Sequence, residues 1–512
     1  MSVAPTLVFP EAVESYQAHR TEIRAKLRDT YNRLHSISED ADWVDNDVRR
    51  AFPDFPIIRN HGSGDQRSWE VDADELGVLA NQRAGAWYVK PSEQPSDTPR
   101  AYFKSTDGHI GVHDFSLRRS NLSLLPLVQK CQGIILVDST RRGKRFPDAL
   151  SKTVPIWCAV LNKVRVMLLP PTSNNSDVDS QGWIDDGKLW TLPSAIGRSE
   201  HSQIDAKVEM FAERLKNSAY DFTSLLALRK PLRPIFVSPA SVLAVSLASS
   251  YSRFMPIVLA SASKLATEQD GLERAGGYTY VQGSGDDHEA WSKGLTAPLF
   301  WENAFQILAA SRDDIDSVIF RIVADAPGQS LAALSLTSAK EIRSTSIFSE
   351  FSTESKPAAQ PSTFHLVIIA APGVLATSPE PLPPASQSDI VTIHARTGKS
   401  GYRGFFTSIE EPLVRSAEAL GRGDYLRISV ATSESQSDAN DLGVALLLIL
   451  LVQNFDHNEV AFERDAERPR VTKDTVRTRL QWFLEVYPDI NPSRNILNRV
   501  NEYLMSLKKG QV

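Results

Sequence analysis

Between residues 138 and 145 the chain places one carboxylate, two hydroxyls, a glycine and four cations in unbroken succession: Asp138, Ser139, Thr140, Arg141, Arg142, Gly143, Lys144 and Arg145. The four residues before them, Ile134 to Val137, are branched and apolar and predict a short buried strand; Pro147 opens a helix behind them. A tight loop between a parallel strand and a helix points successive backbone N–H groups into one concavity, with the helix dipole behind it, which is a site for phosphate. Arg145 adds a two-pronged donor suited to a phosphate, and Gly143 permits a positive φ. The competing reading of the same residues is a basic surface turn.

The spacing of Ser139 and Arg145 is that of the Cys-x5-Arg loop of protein tyrosine phosphatases, with serine where the cysteine would stand. Without a thiolate there is no phosphoenzyme chemistry of that kind. Neither Cys131 nor Cys158 supplies one, since the residues six places on are Val137 and Val164. The expectation is a loop that holds phosphate without attacking it.

Two further segments carry candidate chemistry. In YFKSTDGHIGVHDFSLRRSN (102–121), Lys104, Ser105, Thr106 and His109 suit phosphate or ribose contacts, and Asp107 and His113 are titratable. Arg118 and Arg119 are expected to meet an RNA backbone, together with Lys152. In YVQGSGDDHEAWSKGLTAPLFW (280–301), two glycines precede Asp286, Asp287, His288 and Glu289. These four residues offer a general base or, through Asp287 and Glu289, oxygen ligands for Mg²⁺; an acidic helix start would look the same.

The elements around these segments read as an α/β arrangement. Tyr16, Ile23, Leu27, Tyr31 and Leu34 mark one face of an opening helix, whose other face carries Arg20, Arg24, Lys26, Arg28 and Arg33 and reads as solvated. Ser36 is expected to cap a second helix ending at Pro53. Strands are expected at Pro234–Ser238, Ser317–Val323, Phe364–Ala371 and Tyr425–Ala431, with a buried helix at Leu442–Asn454 and a final helix capped by Asn491 with Pro492 at its first position. Residues 171–187 read as a surface insertion. The Ser/Pro/Ala-rich stretch 353–363 reads as a linker between an N-terminal domain (1–352, with a helical start at 10–52) and a C-terminal one (364–512).

The bulk numbers fit a soluble globular chain: 512 residues, 42% hydrophobic and 23% charged, with a net charge of −6. Residues 100–170 nevertheless hold twelve Lys/Arg against four Asp, a basic island in an acidic chain, as expected for a localised anionic ligand or for a solvated basic face. The start lacks the basic and apolar regions of a secretory signal, the longest apolar run is half a membrane span, and the cysteines form no CxxC, so a cytoplasmic protein is expected.

Taken together, VDSTRRGKRFPDALSKTVPIWCAVLN, YFKSTDGH…FSLRRSN, NQRAGAWYV (81–89) and YVQGSGDDHEAWSKGLT closely resemble the initiator tRNA phosphoribosyltransferases of fungi and plants, over nearly the whole chain. Ala84 and His113 depart from that family's common cysteine and tryptophan. The resemblance implies transfer of 5-phosphoribosyl from phosphoribosyl pyrophosphate, with Mg²⁺, to the ribose 2′-hydroxyl of a T-stem adenosine of initiator tRNA, by a monomer. It implies an N-terminal α/β catalytic domain and a C-terminal α/β domain like dual-specificity phosphatases. The C-terminal loop 432–441 has no cysteine, and no Lys or Arg occurs from Val430 to Asn454, so phosphatase chemistry is not expected there. Three other readings stand beside this one: a type I phosphoribosyltransferase fold, an inactive phosphatase-derived RNA-binding protein, and a metal-dependent phosphohydrolase.

Overall fold

The computed structural model describes residues 27–52, 57–59, 70–72, 78–90 except 83, 99–169 except 110 and 142, 180–243, 251–266, 274–325 except 275, 340–350 except 343, 344 and 346, 363–371, 390–396, 401–462 except 433–435, 469–487 and 490–506. Two compact units emerge: residues 1–217 with 222–325, and 326–512 with the short segment Ser218–Asp221. The division falls earlier than the linker expected at 353–363. The reason is strand pairing: residues 347–350, before that linker, join the sheet of the second unit.

In the first unit, helix α1 (Thr30–Trp43) starts at Asp29, whose side chain accepts from the Asn32 N–H, and runs on through a wide turn, Val44–Val48, to Ala51. Ser36 therefore lies inside one continuous helix and caps nothing. Its hydroxyl donates to the Asn32 carbonyl at 2.7 Å, the back-bond open to a serine in mid-helix. Strands β1 (Ile57–Arg59) and β2 (Glu70–Asp72) form a small antiparallel pair.

Strands β3 (Val78–Ala80), β4 (Ile134–Asp138), β5 (Leu232–Val237) and β6 (Met255–Ser261) form an all-parallel sheet in the order β3-β4-β6-β5. β4 and β6 are buried along their whole length. That explains their unalternating branched sequences, as a parallel strand covered on both faces requires. Each fully buried Ile, Leu or Val there contributes about 1.5–3 kcal/mol. Helix α2 (Val154–Leu168) follows β4 and packs on β5 and on helix α3 (Arg198–Lys216).

The segment expected as a strand at Ser317–Val323 is instead helix α4 (Ile315–Asp325), with Ile315, Ile319 and Ile322 buried. Its branched residues suggest a strand, but the apolar positions recur at four and three, and the helical period prevails.

The second unit has a five-stranded sheet, β10-β9-β11-β8-β7, built from β7 (Lys340–Glu341), β8 (Ile347–Glu350), β9 (Thr363–Ala371), β10 (Ile390–Arg396) and β11 (Tyr425–Thr432). All pairs are parallel except β7 with β8. Helix α5 (Gln436–Asn454) is buried throughout Leu442–Val452, the apolar run of the sequence. In the final helix α6 (Arg494–Ser506), Ser493 rather than Asn491 provides the cap, its hydroxyl accepting from the Ile496 N–H at 3.2 Å. Among the described residues, no helix is long and apolar enough to cross a membrane.

One close approach tests the first sheet. A Cβ on Gly85 would lie 2.2 Å from the Val137 carbonyl oxygen of β4, whereas one on Gly143 would meet nothing within 4 Å and suffer only the positive φ of 85°. Gly85→Ala is expected to destabilise the first unit by about 3 kcal/mol, at the upper end for overpacking, and Gly143→Ala by about 1–2 kcal/mol. Denaturation followed by tryptophan fluorescence reads this unit well, because Trp482 alone of the nine tryptophans lies in the second. Equal losses in the two variants would contradict the packing described.

Candidate functional site

The polar residues gather at the carboxyl edge of the four-stranded parallel sheet, where ligands of open α/β sheets characteristically bind. β4 ends on Asp138, whose carboxylate accepts from the Ser139 N–H (2.8 Å) and from the Asn81 side-chain amide (2.7 Å) just beyond β3. Asn81 in turn holds the backbone of Phe103 on both sides, through Oδ1 (2.8 Å) and Nδ2 (3.0 Å). Asp138, expected to touch substrate, is thus buried and pins the base of the loop.

Beyond it, Ser139 and Thr140 are buried, the Lys144 N–H donates to the Arg141 carbonyl, and Gly143 takes a positive φ of 85°. Arg142 lies outside the described residues. The three described cations of the loop differ in their partners. Arg141 is exposed and pairs with Asp287 (2.6 Å) and Asp286 (3.5 Å), and Lys144 pairs with Asp148 (3.0 Å). Arg145 is half-buried. Its guanidinium donates to the hydroxyls of Ser238 (2.8 Å) and Ser241 (3.4 Å) at the end of β5, and among the described residues no carboxylate pairs with it.

The segment 280–288 closes over this loop. The Gln282 amide donates to the Lys144 carbonyl at 2.7 Å, and a Cβ on Gly283 (φ 71°) would stand 2.7 Å from the Thr140 carbonyl oxygen. First and third sequence segments therefore meet. Asp286 and Asp287 engage Arg141, His288 packs beside Trp87 (ring centroids 5.8 Å apart), and Glu289 borders a separate hollow with Arg28, Tyr31 and Lys293. Asp287 thus turns to Arg141 while Glu289 faces that hollow, and no group of three or more His, Cys, Asp or Glu among the described residues is placed to hold a metal ion.

The second segment meets the first one turn further on. Ser105–Gly108 forms a tight turn in which Gly108 packs on the backbone of Asp148 and the side chains of Lys152 and Thr153, and the Thr153 hydroxyl donates to the Lys104 carbonyl. Of Thr106 only the backbone is described. Lys104 and Asp107 line a small recess with Asp114 and Arg119. His109 faces Asp148 at 3.8 Å, and the buried His113 shares Glu200 with Lys152.

Lys152, expected at an RNA surface, is only 5% exposed and its ammonium lies 2.8 Å from Glu200, so it is an interior ion pair. Arg119 lies over the Tyr102 ring at 4.5 Å, and Arg118 is half-buried in the same short turn. Arg20, Arg24 and Lys26 lie outside the described residues. Arg33, read as solvated, donates instead to the carbonyls of Ser284 (2.8 Å) and Asp286 (3.3 Å), and burial lowers its pKa.

The residues to which the sequence assigns no part in the site are on α1 and after β6. Asn32 accepts from the Thr279 N–H, Ser36 from the Val281 N–H, and Asp40 from the hydroxyls of Tyr280 (2.8 Å) and Ser263 (2.9 Å). Ser263 reaches Ser139, oxygen to oxygen, at 2.5 Å, and the Tyr88 hydroxyl accepts from the Gly285 N–H. Burial drives the Asp40 carboxyl well above its usual range, only partly offset by the two hydroxyl donors. Its neighbour Glu39 goes the other way: burial would raise it, but hydrogen bonds from Lys264 and Tyr278 with the charge of Arg274 bring it below its ordinary value. Both cysteines are buried, and burial pushes the Cys131 thiol up to about 11, so neither is primed as a nucleophile.

In the second unit the loop after β11 lies partly outside the described residues, at 433–435. Asp441 beyond it accepts from the Tyr402 hydroxyl (3.0 Å) and the Ser493 N–H (2.8 Å), which fastens α5 to its neighbours.

Residues 66–324 match the family model described as the Rit1 N-terminal domain, and residues 389–504 match the Rit1 DUSP-like domain. An uncharacterized protein of Schizosaccharomyces pombe is 33% identical over 497 residues, 95% of this chain and 96% of that one. The tRNA A64-2'-O-ribosylphosphate transferase of Saccharomyces cerevisiae is 37% identical over 311 residues, 57% of this chain and 54% of that one. No solved structure matches the chain at a significant level. With the two parallel-sheet units in the expected order and both family domains matched along the chain, this protein belongs to the Rit1 family.

Proposed function

We propose that this protein transfers 5-phosphoribosyl from phosphoribosyl pyrophosphate to a ribose 2′-hydroxyl of initiator tRNA, at the T-stem adenosine. Membership of a family that includes a tRNA A64-2'-O-ribosylphosphate transferase supports the reaction class. The observation in the site that carries the assignment is Arg145, a loop cation held by two neutral hydroxyls while its neighbours are paired with carboxylates. A charge positioned but left without a counter-charge suits an anionic ligand.

The reaction expels pyrophosphate from ribose C1, so the site must bind the leaving group and the 5′-phosphate and align the acceptor hydroxyl. In this reading Arg145, at the base of the open turn around Gly143, holds one phosphate. Lys104 serves the second, and Arg141, drawn toward the loop rim by Asp286 and Asp287, guides the approach of RNA. With no three-ligand cluster among the described residues, Mg²⁺ is read as arriving with the pyrophosphate, where it neutralises phosphate charge. The second unit, a DUSP-like domain without a cysteine, is read as non-catalytic. A cytoplasmic monomer completes the proposal.

Incubation of the protein with ³²P-labelled donor, magnesium and initiator tRNA is expected to label the tRNA at one T-stem nucleotide; label found only as free phosphate would favour a phosphohydrolase. Arg145→Ala is expected to weaken donor binding by about 1.5–3 kcal/mol, the worth of a charge-assisted hydrogen bond, while the fold survives. Unchanged donor affinity, read by calorimetry, would remove the loop from the site. Binding of tRNA is expected to weaken with salt, and neutralising Arg118, Arg119 and Arg142 should reduce the slope of log K against log salt by about one for each RNA phosphate no longer neutralised. An unchanged slope would place the RNA elsewhere.

A further inference from the structure

Asp40 is wholly buried, 0% exposed, on the inward face of α1, where Asn32 and Ser36 precede it among Leu34, Ile37, Ala41 and Val44. A carboxyl in such a place is ordinarily paired with a cation, because taking a charge out of water is expensive. Here the adjacent ammonium of Lys264 goes to Glu39 instead, and the direct partners of Asp40 are two hydroxyls. The polar arrangement does not stop at the helix. Ser263 donates to Asp40 Oδ2 at 2.9 Å and meets Ser139 Oγ at 2.5 Å, so three side chains from α1, the end of β6 and the end of β4 form one unbroken hydrogen-bonded row. Its outer member is the first residue of the loop that holds Arg145.

We infer that Ser139, Ser263 and Asp40 form a proton relay, with Asp40 as the buried acceptor for the proton lost by the attacking 2′-hydroxyl; this rests on the proposed transferase activity. The acceptor hydroxyl gives its proton to Ser139 Oγ as the proton of Ser139 moves to Ser263 Oγ and that of Ser263 to Asp40. The 2′-oxygen forms its bond to ribose C1 of the donor while the C1–O bond to pyrophosphate breaks, and both electrons of that bond leave with pyrophosphate. Asp40 then returns its proton outward along the same row. Ser139 is the member that meets substrate, and Asp40 acts through it as a positioning residue.

The other titratable groups facing Asp40 suit this task. Tyr280 and Tyr88 are kept protonated by burial, and Glu39 and Lys264 pair with each other. Burial raises the affinity of Asp40 for a proton, as an internal proton acceptor requires.

Asp40→Asn separates this role from a structural one. The pKa of Asp40 is higher folded than unfolded, so its ionisation opposes folding. Relative to asparagine, its contribution to stability is fully present below the unfolded carboxylate range and is lost as pH rises through the folded value. The variant of the full-length protein is therefore expected to melt at or above the wild type at pH about 8 and close to it in acid. Meanwhile kcat for tRNA labelling falls by about 100-fold or more, KM for phosphoribosyl pyrophosphate changes by less than about threefold, and the acid limb of the pH–rate profile disappears. Ser263→Ala, which cuts the row but leaves the carboxyl in place, is expected to lower kcat by at least about tenfold and to carry the proposal should the first variant fail to fold. Asp40→Asn with kcat within threefold of wild type and its acid limb intact would overturn the relay alone. So would activity falling only in step with the folded fraction, or a Ser263→Ala enzyme as fast as wild type. A wild-type protein that labels no tRNA would overturn the activity and the relay together.

Discussion

Three short polar side chains at four-residue intervals along one helix, Asn32, Ser36 and Asp40, hold the structure's functional edge together. Each sits on the side of α1 that turns inward and each takes a hydrogen bond from the segment Thr279–Tyr280–Val281, so that segment is laid along the helix like an added strand. Arg33 and Glu39, one position off this line, secure its two ends through Ser284 and Tyr278. Gly283, which follows, can then approach the loop after β4 as closely as backbone against backbone allows, at Thr140. Loop, segment and helix form a layered arrangement whose order depends on satisfying buried polar groups, since each unmade bond there would cost about 1–3 kcal/mol.

The sheet sets where this can happen. Parallel strands buried on both faces, as β4 and β6 are, admit polar side chains only at their ends, at Asp138 and Ser261, with Asn81 and Ser238 just beyond β3 and β5 on either side. Asp138 stabilises the edge by binding its own loop and its neighbour across to Asn81. Ser261 adds a bond from its hydroxyl to the Arg145 carbonyl. Arg145 is thereby fastened by backbone and side chain together, while the turn at Gly143 stands open. A rigid base with an open rim suits a ligand that arrives, reacts and leaves in two pieces.

Much of this edge is legible in the sequence, and the rest is hidden for definable reasons. Ile134–Val137 could hardly be other than a buried strand, and the cations after it announce an anion site. Lys152 misleads because a sequence displays charge without burial; its partner Glu200 is far off along the chain. Ser317–Val323 misleads because branched residues suit both a strand and a buried helix face, and only the spacing of Ile315, Ile319 and Ile322 separates the two. Asp40 is readable in principle, three residues after Ile37 and four before Val44 and therefore in phase with the apolar face, yet it lies in an acidic run that looks solvated. Its partners Ser263 and Tyr280 lie more than 200 residues away, and no local pattern foretells their meeting.

The proposed activity rests on the donor binding at the carboxyl edge of the first sheet. Hydrogen–deuterium exchange of the full-length protein, with and without phosphoribosyl pyrophosphate and magnesium, tests it directly. Protection is expected to concentrate in residues 138–146 and 280–288, with residues 425–441 of the second unit unchanged. Protection centred on 425–441, with the 138–146 loop exchanging as before, would contradict it.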